Sequence, residues 1–181
     1  MTSRLHVHAP SAEALAGHAS ALSMPLWLPW PLPTDWVVAG FGWVDHGHEQ
    51  LATVLSCSGP NPLGGPAEML VVTEEPGTGL GSSFAGMDSP HPGPEVGVGA
   101  PHAHVDVDGH QVSLWCVTAA AADQAVYAGE CEGRWLWLVL HPESAGALLL
   151  ERLIFADVRD LGREVELLAY GDPSPRLMAS E

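Results

Sequence analysis

The chain reads as a single α+β domain, a mainly antiparallel β-sheet of about six to eight strands with two or three packed helices. Two observations predict it. Asp108-Gly109 is a strong two-residue hairpin turn, Glu132-Gly133 is a second turn of the same kind, and both sit between strand-like runs. Helical patterns fall ahead of those runs and behind them, so the helices pack on the sheet without alternating with its strands. Residues 1–24 are expected to form an N-terminal arm with one short helix, and residues 25–181 the domain.

The elements follow in order. Residues 11–22 are alanine-rich, with Ser11 placed to cap a helix and Glu13 in its first turn. The next stretch, Pro25-Leu-Trp-Leu-Pro-Trp-Pro-Leu-Pro33, carries too many prolines for a helix or a central strand. It is an extended strap, whose Trp27 and Trp30 either lie over the core or form an aromatic binding surface. Residues 36–44, 51–58 and 67–74 are strands, separated by the polar turn at His46-Gly-His48 and a rigid Gly/Pro loop at 59–66. From 76 to 101 glycine and proline dominate, which means a long irregular segment across one side of the sheet.

The turn at Asp108-Gly109 sets a register: Val107 against His110, Val105 against Val112, Ala103 against Leu114. These share a dry face, and His102, His104, Asp106, Gln111 and Ser113 share the wet one. Residues 124–131 and 134–140 form the second hairpin. Pro142 and Glu143 suit the first turn of a helix running to about Glu151. Residues 153–156 either prolong that helix or form a strand. Gly162 stops a helical turn over 157–161, residues 165–168 close the sheet, and the segment from Gly171 is a loop.

Composition excludes more than it proposes. There is no lysine, and six arginines stand against 22 carboxylates, for a formal charge of −16. A Walker phosphate loop and a Schiff-base mechanism both need lysine. So negative a chain repels nucleic acid and anionic membranes, and neither is expected as a partner. Cys57, Cys116 and Cys131 lie in apolar stretches and read as small buried side chains in a reducing compartment. The opening residues lack an apolar signal region, so a cytoplasmic location is expected.

Two features carry candidate chemistry. His102, His104 and Asp106 project to one face of a strand, spaced to chelate zinc if a further ligand arrives from elsewhere; the alternative is a solvated sheet face with no cofactor. The segment Gly77-Thr-Gly-Leu-Gly-Ser-Ser-Phe-Ala-Gly86 follows a strand, but Ser82 stands where a dinucleotide loop needs glycine. The amides of Gly77, Gly79 and Gly81 with the hydroxyls of Thr78, Ser82 and Ser83 would make an anion cradle bordered by Asp88. The alternative is a glycine loop that lets the backbone cross the sheet closely. Residues 6 and 8 sit in what reads as a loose terminus.

Several longer motifs coincide in one family. Trp27-Leu-Pro-Trp-Pro-Leu-Pro33 leading to Trp36, Ser58-Gly-Pro-Asn-Pro-Leu-Gly-Gly65 and Gly79-Leu-Gly-Ser-Ser-Phe-Ala-Gly86 are three of them. Ala128-Gly-Glu-Cys-Glu-Gly-Arg-Trp-Leu-Trp137, His141-Pro-Glu-Ser-Ala-Gly146 and Ser174-Pro-Arg-Leu177 complete the set. Over roughly residues 20–178 the chain resembles an actinobacterial domain-of-unknown-function family, some of whose members bear the name phosphotransacetylase. The resemblance implies an N-terminal zinc ribbon in most members. Its paired cysteines are missing here, so that metal site does not carry over, and no catalytic residue is transferred.

The expected function is a non-catalytic cytoplasmic binding or adaptor module for an unidentified protein partner or small ligand. Its surface would lie near Trp27, Trp30 and the loop from Gly77 to Asp88. Two rivals stand beside it: a small-molecule acyl- or phosphoryl-transfer enzyme using the glycine cradle, and a zinc protein using His102, His104 and Asp106.

Overall fold

A computed structural model describes residues 2–179. Ten strands form one sheet: β1 Arg4–His8, β2 Trp27–Pro29, β3 Val37–His46, β4 Glu49–Pro60, β5 Pro66–Glu74, β6 Ala103–Val107, β7 His110–Cys116, β8 Ala125–Cys131, β9 Arg134–His141 and β10 Ile154–Asp157. Their order across the sheet is β1-β3-β4-β5-β9-β8-β7-β6-β10-β2. The α+β class holds, but the expected six to eight antiparallel strands become ten in a mixed sheet, because β6 and β10 run parallel. The sheet also curls into a half-barrel, bringing β2 from its far end over β4 and β5. Thr53 Oγ1 donates to the Pro25 carbonyl at 2.6 Å and fastens the curl.

Both hairpins form at the expected turns. Val105 pairs with Val112 and Ala103 with Leu114, and Asp108 takes the positive φ of 48° that the tight turn demands. Glu132 does the same at 54° between β8 and β9. The strap is not loose: Trp27–Pro29 pairs antiparallel with β10, and Trp27 is buried in the core.

Several readings need correction. Arg4–His8 is no loose arm but an edge strand, paired along its length with β3. Alternation of apolar Leu5 and Val7 with polar neighbours was the available signal, and the pairing is supplied by a partner 33 or more residues away. Residues 143–150, expected as an α-helix, form a 3-10 helix. Residues 165–168, expected to close the sheet, lie mostly in a second 3-10 helix, Gly162–Leu167. The strand is instead β10, which settles the ambiguity left at 153–156.

The remaining helices are short. α1, Ala12–Ala19, begins at Ser11, whose hydroxyl accepts the Ala14 amide at 3.0 Å. α2 is Leu80–Phe84, α3 Val158–Leu161 and α4 Pro175–Met178. The last corrects the loop expected from Gly171, where Ser174 caps a helical turn that Pro175 opens. No helix among the described residues is long and apolar enough to cross a membrane.

Alternation along the strands divides the core between two faces. Met69, Val71, Leu136 and Leu138 point inward, where α1, α3 and the 3-10 segments cover them. Leu70, Val72, Trp137 and Val139 point outward and would face water without the cover of α2, the long loop and α4. Because β5 is covered on both faces, its polar side chains must find partners inside the protein or stay unpaired, as Thr73 Oγ1 and Glu74 Oε1 do.

Candidate polar cleft

That requirement falls on the two glutamates of β5, Glu68 and Glu74. Both share the outer face with Leu70 and Val72, and both are buried. At Glu68, Oε2 accepts hydrogen bonds from Ser56 Oγ at 2.6 Å and from Ser174 Oγ, while Oε1 accepts from Arg176 Nη1 at 2.7 Å. The tail is threaded into place by its own backbone: Gly171 N donates to Val38 O and Ser174 N to Ala39 O. Ser174 Oγ also caps α4 by accepting the Leu177 amide. Gly40, at a bulge in β3, leaves the room into which Leu177 packs; a Cβ there would lie 3.0 Å from Leu177 Cδ2.

His141 is the register partner of Glu68 across β5 and β9. Its Nε2 is buried with no hydrogen-bond partner among the described residues. Burial, and then the Arg176 guanidinium, hold the imidazole below the usual histidine range, opposed in part by the Glu68 carboxylate. The ring is therefore neutral at neutral pH. Around these groups lies a cleft of about 660 Å3, lined also by Ser58, Gly64, Gly65, Asp123 and Asp172, with walls of proline.

The residues singled out by sequence lie elsewhere. Leu80 N and Gly81 N donate to Glu74 Oε2 at 2.7 and 3.2 Å, so the chain's own carboxylate occupies the place an anion would take. Burial pushes the Glu74 carboxyl above its ordinary range, against the two amides and the neighbouring Trp137 indole. Ser82 Oγ donates to Gly79 O and Thr78 Oγ1 to Glu75 O, so these hydroxyls close the loop upon itself. Gly81 sits on the Trp137 indole, where a Cβ would come within 2.4 Å of ring carbons. Close crossing, the plainer of the two readings, describes this contact. Gly77 takes φ 91° at the turn ahead of α2, while Ser83 and Asp88 form no part of the Glu74 contact.

Trp27 is 3% exposed and offers no surface, whereas Trp30 is partly buried beside a shallow groove that Leu167 and Leu168 also line. His102 Nδ1 accepts the Cys116 amide at 3.0 Å, His104 Nδ1 lies 3.4 Å from Ser113 Oγ, and Asp106 is paired with Arg152. Among the described residues no group of three or more His, Cys, Asp or Glu side chains could hold a metal ion.

Sequence reasoning did not single out Glu68, His141, Ser174 or Arg176. One signal was present: Glu68 adjoins the unbroken apolar run Met69–Leu-Val-Val72, the mark of a strand covered on both faces. Three of the segments that carry the family resemblance, 58–65, 141–146 and 174–177, meet at this cleft.

The fold and cleft define a sheet-rich α+β domain with a polar site where β4 and β9 end and β5 begins. The family follows: the chain belongs to DUF6758, a family of unknown function whose model matches residues 2–177. No curated protein and no solved structure matches the chain.

Proposed function

We propose that the chain is a non-catalytic binding module of the cytoplasm, and that its ligand is a small molecule held in the cleft beside Glu68 and His141. The observation that carries this reading is the convergence of three distant segments on one cavity of about 660 Å3, a volume suited to a small ligand. The polar groups there are fixed. Glu68 takes donors from Ser56, Ser174 and Arg176, which suits a group that holds a shape more than one that shuttles protons. Free thiols at Cys57, Cys116 and Cys131 accord with a reducing compartment.

A fragment library titrated against 15N-labelled protein tests the reading. Hits are expected to move the amides of Gly64, Gly65, Ser174 and Arg176. Hits gathered on Trp30 and Leu167 would transfer the binding function to the strap, and a library that moves neither group would end the small-ligand reading.

A further inference from the structure

The class of ligand follows from counting donors and acceptors in that cleft, and it rests on the cleft being a ligand site. Several donors are already engaged inside the protein. Ser174 Oγ and Arg176 Nη1 donate to Glu68, Ser174 N donates to Ala39 O, and Gly64 N donates to Asn61 O. Pro66, Pro142, Pro173 and Pro175 line the walls, and a proline has a carbonyl to offer but no N–H. An anion entering here would lose its water shell and meet Asp123 and Asp172 beside the N–H groups that Arg176 keeps.

The acceptors, by contrast, remain. Asp123 and Asp172, from separate segments, line the cleft and make no hydrogen bond or ion pair among the described residues. The neutral His141 ring adds one acceptor and one donor nitrogen, and its buried Nε2 has no partner among the described residues. Of the charged groups at the cleft, Arg176 and Glu68 offset each other, which leaves the two aspartates in excess. The net charge of −16 adds a field of the same sign and draws cations toward the surface.

We propose that the cleft selects a small organic cation, an ammonium or amidinium group on an apolar body, with its charge facing Asp123 and Asp172 and its body against the proline walls.

Three matched probes test this: phenethylamine as the cation, phenethyl alcohol as the neutral analogue and phenylacetate as the anion. Each is titrated into the full 15N-labelled chain while the Gly64, Gly65 and Ser174 amides are followed. The amine is expected to bind at least about tenfold more tightly than the alcohol, an advantage that shrinks as salt rises. Phenylacetate should give no saturable shift. In the double variant Asp123→Asn, Asp172→Asn the amine should fall to the affinity of the alcohol, with the alcohol itself unchanged; both positions are exposed, so folding is retained. An alcohol that matches the amine, an anion that binds most tightly, or an amine indifferent to the double variant overturns the cation class while leaving the cleft a ligand site. If none of the three shifts these amides, the cation class also fails, and the fragment titration decides the fate of the cleft itself.

Discussion

Glu68 and Glu74 stand at opposite ends of β5 on the same face, six residues and roughly 20 Å apart, and each fastens a different covering segment to the outer face. Glu68 holds the C-terminal tail through Ser174 and Arg176, and Glu74 holds α2 through two backbone amides. Between them lie Leu70 and Val72, which those segments keep dry. The outer layer has little regular structure of its own. It is fixed by polar contacts at two points and by apolar packing between them.

Glu68→Ala should therefore cost about 3 kcal/mol, because it leaves the Ser56 and Ser174 hydroxyls buried without an acceptor. Arg176→Ala should cost less than about 1 kcal/mol, since the guanidinium is half exposed and screened by water. Urea denaturation measures both. Exchange of the Ser174 amide, which donates to Ala39, should accelerate far more in the first variant than in the second. Equal losses in the two would mean that Glu68 serves only as the partner of Arg176.

At the other end, Glu74→Ala and Glu74→Gln should diverge. Alanine strands the amides of Leu80 and Gly81, at a cost of about 2–4 kcal/mol. Glutamine keeps an acceptor oxygen for them. The Glu74 carboxyl is raised by burial, so its contribution is complete below the ordinary carboxylate range and declines as pH rises through its folded-state value. The glutamine variant lacks that decline and should gain on the native protein between pH 4 and pH 7. Thermal melts at the two pH values compare them directly.

Gly81→Ala tests the crossing over Trp137. The added methyl meets the indole ring at 2.4 Å, and a ring buried at 0% exposure has no free space to retreat into. The expected loss is about 1–3 kcal/mol, the usual cost of overpacking. Gly77→Ala meets nothing within 4 Å and carries only the strain of its φ of 91°, so it should cost less. Denaturation midpoints that rank the two the other way would contradict the contact.

What the sequence made legible was local. Asp108-Gly109 dictated its own turn, and the register of Val105 with Val112 followed from counting outward. The close crossing at Gly81 was likewise among the readings that residue type allowed. The strand made by Arg4–His8 and the parallel contact of β10 with β6 were not readable, because each depends on a partner remote in sequence. The cleft failed to stand out for the same reason. Glu68, His141 and Arg176 are separated by 73 and 35 residues, and none carries a local signature; only the curled sheet and the returning tail bring them together.

The His141 ring gives the last test, and its sign is fixed by its neighbours. Its protonation is depressed in the folded state, so the unfolded chain binds the proton more readily. The stability it supports is complete above the unfolded value of about 6.5 and is lost as pH falls through the lower folded value. The native protein should thus weaken on acidification more steeply than His141→Gln. An NMR titration of the imidazole also separates the causes. Arg176→Ala removes a neighbouring positive charge and should move the midpoint up, whereas Glu68→Gln removes a negative one and should move it down. Shifts in the same direction in both variants would mean that burial alone governs the ring, and that the charges lining the cleft do not act on it.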